Sequence, residues 1–231
     1  MSIYNRENQY LGLLAERPHT VKELSHKLFI SEPTVRRDVN ILQKKELITC
    51  KRGLVSLSVK SPDRRIPLFI RDLEQNEAKQ RIALKAAELI KDGNVIMLDA
   101  STTCCHLLTL RSNFKNILVI TNGAKTALEA AAMGIKTICT GGDITLESFS
   151  YVGVDAEETL KKYNADISFF SCRGVTDDGI VSDNSILENS IRKIMIKNSK
   201  RNYLLCDRSK MGKKYLNTLC ELSNLTGVIS D

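Results

Sequence analysis

Tryptophan is absent, histidine occurs only three times, at 19, 26 and 106, and the seven cysteines include no CxxC pair. Such scattered histidines and isolated cysteines exclude the ligand spacing of a structural zinc site, and an odd cysteine count argues against a disulfide framework. Cys139, Cys172 and Cys206 close apolar, strand-like runs, where a reduced cysteine serves as a small buried hydrophobe. Nothing calls for a metal or a cofactor. No stretch approaches the roughly 18 apolar residues needed to cross a bilayer. Met1 to Thr20 hold no uninterrupted signal-peptide core. The expectation is a cytoplasmic protein with no membrane partner. Hydrophobic residues at 42% and charged residues at 26% exclude wholesale disorder, and 231 residues suffice for one large domain or two smaller ones.

Charge is unevenly placed. Residues 1–60 carry 11 Lys+Arg against 6 Asp+Glu, a net of +5, out of +7 for the whole chain. A small basic module attached to a nearly neutral body points to a nucleic-acid partner.

The basic module reads as three helices and a ribbon. Tyr10, Leu11, Leu13 and Leu14 cluster on an opening helix that Pro18 stops. Thr20-Val21-Lys22-Glu23 is a capping box opening a helix with Val21, Leu24 and Leu28 on one face. After Phe29-Ile30, Ser31 is placed to cap a third helix, with Pro33 tolerated in its first turn. Two helices so closely joined form a helix-turn-helix. On the third helix Val35, Val39 and Leu42 share the inward stripe; at 100° per residue Pro33, Arg37, Asn40 and Lys44 lie opposite, with Arg36 and Thr34 on the flanks. Ser31, Pro33, Thr34, Arg36, Arg37, Asn40 and Lys44 are therefore the candidate DNA-contacting residues: Arg can reach guanine, Asn can reach adenine, and hydroxyls and amides can reach phosphate. Ile48–Lys51, a turn at Arg52-Gly53, and Val55–Leu57 read as a small β-ribbon, the wing.

The run Thr20-Val21-Lys22-Glu23-Leu24 with Ser31-Glu32-Pro33-Thr34-Val35-Arg36-Arg37-Asp38-Val39 resembles the DeoR family of bacterial sugar-catabolism regulators. The resemblance implies a winged helix-turn-helix that reads operator DNA as paired half-sites, and hence a homo-oligomer, dimer or tetramer. The chain departs from the family pattern at Glu46 and at Gly53-Leu54, where glycines are usual.

Residues 58–73, with Pro62, Pro67 and the cations Lys60, Arg64, Arg65 and Arg71, read as a linker between a domain at 1–57 and another at 74–231. A long helix over about 74–91 carries Ile82, Ala83, Ala86, Leu89 and Ile90 on one side. Apolar runs follow at Val95–Leu98, Ile117–Ile120, Thr137–Cys139, Ile167–Phe170 and Tyr203–Cys206, separated by helical stretches near 104–110, 124–133, 154–162 and 186–198. Such alternation predicts an α/β domain with a mostly parallel sheet, whose ligands bind outside the carboxyl ends of the strands.

The residues at those ends are small, polar or flexible. The first loop is Asp99-Ala100-Ser101-Thr102-Thr103, three hydroxyls opening a helix and suited to an anion such as phosphate. The others are Thr121-Asn122-Gly123, Gly141-Gly142-Asp143, Ser171-Cys172-Arg173-Gly174 and Asp207-Arg208-Ser209-Lys210, the last offering a cation. Asp99, Ser101, Thr102, Thr103, Asn122, Gly123, Gly141, Gly142, Arg173, Gly174 and Lys210 are the candidate effector residues. These loops extend the DeoR resemblance over nearly the whole chain. It implies a sensor domain similar in fold to ribose-5-phosphate isomerase, with Ser101, Thr102, Thr103 and Lys210 on a phosphate and Asn122, Gly142, Arg173 and Glu188 near a sugar. The chain ends at Ile229-Ser230-Asp231, where the resembled family usually continues, and the expected consequence is either weaker packing of the last element or an exposed sheet edge.

The sum is a DNA-binding repressor of a carbohydrate-catabolism operon, its operator affinity set by a phosphorylated sugar or related metabolite. The rival is a sugar-phosphate isomerase with a DNA-binding arm. Isomerisation needs a carboxylate base, and Asp99, Glu188 and Asp207 are available, but Arg173 stands where the resembled isomerases have an acidic loop. Asp177 and Asp178 fall in a turn before Gly179. No catalytic residue is assigned. A purely structural dimerisation body leaves the polar loops unexplained.

Overall fold

The computed structural model describes residues 3–45, 47–58, 75–113 and 115–231. Glu46 and the expected linker from residue 59 onward lie outside the described residues. The chain divides into two compact units, Met1–Glu74 and Gln75–Asp231. No helix among the described residues is long and apolar enough to cross a membrane.

The first unit contains α1 (Ile3–Glu16), β1 (His19–Thr20), α2 (Val21–Leu28), α3 (Glu32–Lys44), β2 (Ile48–Lys51) and β3 (Leu54–Leu57). Tyr10, Leu11 and Leu14 of α1 meet Val21, Leu24, Val35, Val39 and Leu42 in one core, closed by Ile48 and Val55. The capping box forms as expected: Glu23 N donates to Thr20 Oγ1 at 3.2 Å and Thr20 N donates to Glu23 Oε2 at 2.7 Å. Those Thr20 contacts and Arg17, 2.8 Å away, lower the Glu23 carboxyl to about 2. Ser31 has the backbone conformation of an N-cap but makes no side-chain cap; its hydroxyl pairs with Thr34 Oγ1 at 2.9 Å instead. The wing has a third strand that was not expected, because His19-Thr20 pairs antiparallel with Val55 and Leu54. Arg52 (φ 51°) and Gly53 (φ 78°) both take positive φ, the two-residue turn that matches strand twist.

An ion pair lies inside this core. Asp38, on the buried side of α3, accepts from Arg6 Nε at 2.9 Å, from Arg6 Nη2 at 3.3 Å and from Tyr10 Oη at 3.4 Å. Burial, with Asp38 alongside, raises the Tyr10 phenol. These bonds tie α1 to α3 and so fix the helix that carries the exposed arginines.

The second unit is built on six parallel strands, in the spatial order Gly227–Ile229, Asn202–Leu205, Ile167–Phe170, Val95–Leu98, Leu118–Thr121 and Lys136–Cys139. In chain order its elements are α4 (Asn76–Ala87), β4 (Val95–Leu98), α5 (Thr102–Cys105) with a 3₁₀ segment (His106–Asn113), β5 (Leu118–Thr121), α6 (Ala124–Ala132) and β6 (Lys136–Cys139). There follow β7 (Asp143–Ile144), β8 (Tyr151–Val152), α7 (Val154–Lys161), β9 (Ile167–Phe170), β10 (Gly174–Val175), β11 (Ile180–Asp183), α8 (Ile186–Lys197), β12 (Asn202–Leu205), β13 (Asn217–Glu221) and β14 (Gly227–Ile229). Alternation along each strand feeds two cores. Ile96, Leu98, Val119, Ile167 and Phe169 meet α4, α5 and α6 on one face. Met97 and Ile120 meet α7 and α8 on the other.

Five strands were expected; the sixth, β14, corrects the count and stands at one edge of the sheet. The chain's last residues themselves form β14, which pairs Tyr203–Leu205 with Gly227–Ile229. Three residues opening on glycine give too short a signal to read. The small sheet β10-β11-β13 was not expected either.

Asp38→Ala should cost about 3–5 kcal/mol, the consequence of stranding the buried Arg6 charge, read by denaturant unfolding of the full chain. Phe29 takes φ 53° at the end of α2 and is 94% exposed, so Phe29→Gly should stabilise by about 1 kcal/mol by relieving left-handed strain. The stability contributed by Glu23 is complete above its unfolded pKa of about 4.3 and is lost as pH falls through that value toward 2. Glu23→Gln should flatten that part of the stability–pH curve.

Candidate functional site

The recognition face of α3 is fixed from behind by Asp38 and by the apolar stripe. Ser31, Pro33, Arg36, Arg37, Asn40 and Lys44 are exposed and Thr34 is half-buried. Arg36 lies 3.7 Å from Glu32, one turn earlier. This single helix therefore carries all seven candidate DNA contacts at its N-terminal end and along one open side. The wing is held to α2 by Val21 N, which donates to Gly53 O at 3.2 Å.

In the second unit, parallel strands bring every strand's carboxyl end to one edge, and strand order sets which loops are neighbours. Lys210, after β12, donates to Ser171 Oγ, after β9, at 2.7 Å. Ser171 N donates to Asp99 Oδ2, after β4, at 3.1 Å. Gly123, after β5, comes so close to the Asp99 loop that a Cβ there would lie 2.9 Å from Ala100 Cα. Four loops are thus contiguous. Ser101 caps α5 by accepting from Cys104 N at 3.2 Å, and Thr102 and Thr103 are buried beside it. Asn122 is buried, with Nδ2 donating to Tyr151 O at 3.0 Å and Oδ1 without a hydrogen-bond partner among the described residues.

The glycines divide. Gly141 (φ 66°) needs glycine for its backbone and faces open space. Gly142 (φ 101°) is glycine for both backbone and packing and Gly174 for packing alone: added Cβ atoms would lie 2.7 Å from Val152 O and 2.5 Å from Lys213 O respectively.

The centre of this edge is a residue that sequence reasoning did not single out. Arg192, buried on α8, donates from Nε to Asp99 Oδ2 at 2.9 Å, from Nη1 to Asp183 Oδ2 at 3.0 Å and to Asn189 Oδ1 at 3.1 Å, and from Nη2 to Glu188 Oε2 at 3.4 Å. Burial disfavours its charge, but Asp183, Asp99 and Glu188 outweigh that and raise it further. Burial pushes Asp183 up, yet Arg192, the Asn184 and Ser185 amides and Arg173 hold it below its ordinary value. The other oxygen of Glu188 accepts from Ser148 Oγ and, at 2.9 Å, from Ser150 Oγ. Arg173 stands at the rim, 3.9 Å from Asp183. Asp99 has both oxygens engaged, Oδ1 by Ser101 N at 3.0 Å. The Glu188–Arg192 spacing of one helical turn was the available signal; Asp183, Ser148 and Ser150 offered none.

Comparison with known proteins bears on both units. Residues 6–58 match the model of the DeoR-like helix-turn-helix domain, and residues 74–231 match that of the DeoR C terminal sensor domain. The chain belongs to the DeoR family. It is a DNA-binding transcription regulator with a sensor domain, not an enzyme. Among its relatives, the HTH-type transcriptional regulator GolR of Listeria innocua is 31% identical over 230 residues, covering 99% of this chain and 90% of that protein. The L-fucose operon activator of Escherichia coli is 30% identical, covering 95% and 90%. The lactose phosphotransferase system repressor of Staphylococcus aureus is 30% identical, covering 96% and 89%. Among solved structures, ribose 5-phosphate isomerase from Methanocaldococcus jannaschii is 18% identical with a TM-score of 0.45, over 60% of this chain and 55% of that one.

Arg192→Ala should cost the sensor domain about 3–5 kcal/mol at neutral pH, because buried carboxylates lose their counter-charge. Arg192→Lys should recover little, since a point charge cannot replace a planar fork bonded to several acceptors. Denaturant melts of the full chain monitor both. Because Asp183 is held below its unfolded value, its share is present above pH about 4 and is lost on acidification.

Proposed function

We propose that this DeoR-family regulator is a repressor of a carbohydrate-catabolism operon whose grip on operator DNA is set by a phosphorylated sugar or a related metabolite. The observation that carries this reading is the junction of Lys210, Ser171 and the Asp99–Thr103 loop, where a cation and several hydroxyls meet at the carboxyl edge of a parallel sheet. A phosphate there would draw Lys210 from Ser171 and be ringed by Ser101, Thr102 and Thr103. Asn122 Oδ1, lacking a donor among the described residues, suits a sugar hydroxyl, and Arg173 and Glu188 border the same space. Asp99 acts in this reading as a positioning residue, since its oxygens already hold Ser101, Ser171 and Arg192. Relatives named for fucose and lactose operons support the carbohydrate assignment. The protein works in the cytoplasm as a dimer or tetramer, with residues 1–57 on DNA, 58–73 as linker and 74–231 as sensor.

Arg37→Ala should lose about 1–3 kcal/mol of discrimination between operator and mutated operator, the worth of a bidentate base contact. An equal loss on all sequences would move Arg37 to the phosphate backbone. No loss on any would remove the DNA reading. Thr102→Ala with Lys210→Ala should abolish the thermal shift given by sugar phosphates, about 2.7 kcal/mol for a ligand at 100 times its Kd, and leave operator binding in place. A retained shift in that double variant refutes the cradle.

A further inference from the structure

The turn between α2 and α3 carries a side chain that the fold does not use. Ile30 N donates to Ser25 O at 3.1 Å and Phe29 N donates to His26 O at 3.4 Å. These are the paired bonds of a Schellman motif, whose left-handed residue is usually glycine. Ser25 Oγ closes the turn further by donating to Ile30 O at 2.5 Å. Ile30 packs against the core of the first unit, the apolar contact that such motifs commonly make. Phe29 takes the left-handed place with φ 53° and ψ 42°, a conformation that strains any residue with a Cβ and that glycine adopts freely. Its ring is 94% exposed.

Single apolar residues on a surface are ordinary. Leu128, Leu146, Val154 and Leu216 are also largely exposed, but none of them has a positive φ. Among the described residues one other apolar side chain takes a positive φ, Phe149 at 48°. Its backbone is bonded to Thr145 and Ala124 and most of its surface is covered, so the sensor domain accounts for it. Phe29 combines left-handed strain with a ring in water, and packing within the first unit offsets neither. A strained residue that the fold does not need is a pointer to function.

The chain itself indicates what covers the ring. Phe29 stands two residues before Ser31, the N-cap of α3, so their Cα atoms lie within about 7 Å. Ser31, Pro33 and Thr34 occupy this end of α3, and recognition helices meet the major groove with their N-terminal residues. At that edge of the groove DNA offers an aromatic ring two apolar partners. One is the C5 methyl of thymine, which phenylalanine reads directly; the other is the face of a deoxyribose.

We propose that Phe29 is an apolar DNA contact, its ring laid against a thymine methyl or a deoxyribose beside the N-terminal end of α3. The inference rests on the reading of α3 as the recognition helix and adds an uncharged contact to the polar candidates. It also requires opposite effects on stability and on binding. Phe29→Gly removes the strain and the ring together, so the variant should be the more stable protein and the weaker binder, whereas truncating a side chain that serves the fold lowers stability.

The test places the full-length protein on the duplex that it enriches from a random-sequence pool. Phe29→Gly should raise the denaturant midpoint and lower affinity for that duplex about tenfold, the lower end of what burying a phenylalanine ring contributes. Because no charge is removed, the slope of log affinity against log salt should stay the same. Phe29→Tyr, which keeps the ring, should retain most of the affinity. Exchanging the thymines of the half-site one at a time for deoxyuridine separates the two partners. A loss of about fourfold at one position, the worth of one buried methyl, seen with the unsubstituted protein and not with Phe29→Gly, assigns the thymine; loss at no position assigns the sugar. Unchanged affinity in Phe29→Gly overturns the proposal and leaves the ring to a protein partner. A shallower salt slope overturns it by assigning the loss to a phosphate contact, and a lowered midpoint overturns it by showing that the fold uses the ring. Arg37→Ala on the same duplex keeps the two readings apart: affinity lost there but not in Phe29→Gly sinks this inference alone, and affinity lost in neither sinks the reading of α3.

Discussion

The buried guanidinium of Arg192 is the interaction on which the sensor domain's functional edge depends. It reaches Asp99 after β4, Asp183 at the end of β11 and Glu188 on its own helix. These carboxylates could not sit together in a low-dielectric interior without a planar cation between them. Asp99 in turn holds the amides of Ser101 and Ser171, and Glu188 holds the hydroxyls of Ser148 and Ser150. One side chain thereby sets the relative positions of loops that are far apart in sequence. A ligand then meets a preformed frame and need not organise it, which lowers the entropy cost of binding.

Local patterns in the amino-acid sequence carry much of this architecture. The capping box at Thr20 and Glu23, the inward stripe Val35, Val39 and Leu42, and the alternation of apolar runs with helical stretches are set by periods of 3.6 and 2 residues. Resemblance to the DeoR family then gave expected roles to residues in the strand-end loops. The features that escape such reading share a physical cause: they are nonlocal or very short. Arg192 and Asp183 look like ordinary surface charges until the fold buries them. Asp38 is visible inside the Thr-Val-Arg-Arg-Asp-Val motif, but only its pairing with Arg6, 32 positions earlier, explains why a carboxylate belongs on the buried side of a recognition helix. Asp99 shows the converse case. A carboxylate at a strand end suggested ligand contact, and in the structure its oxygens accept from Ser101, Ser171 and Arg192.

The two units use buried charge in a similar way, at different scales. In the head, Arg6 and Asp38 fix one helix against another so that the exposed arginines project from a rigid support. In the sensor, Arg192 fixes loops against a sheet. Both arrangements cost desolvation that apolar packing of equal volume would avoid. What they add is orientation, because hydrogen-bonded charges tolerate one geometry where apolar surfaces tolerate several.

Lys210 is the exception to this rigidity, and so the place where a ligand can act. Its ammonium rests on Ser171 and near Asp207, with 22% of its side chain exposed, while the groups around it are locked. In the proposed reading a phosphate would offer it stronger, charge-assisted bonds than a neutral hydroxyl does, and occupancy would draw the lysine from Ser171. The operator responds only to the extent that the ligand binds one arrangement of the protein more tightly than another. A frame as stiff as the Arg192 cluster stores little of that difference. In the proposed reading that difference would come from Lys210 and the short 3₁₀ turn that carries it, Arg208–Lys210, which Asp231 holds through the Arg208 amide at 3.0 Å while also bonding Arg81 of α4 at 3.3 Å. That chain of contacts runs from the turn carrying Lys210 to the first helix of the sensor domain, and it is the route along which, in the proposed reading, displacement of the lysine would be passed on.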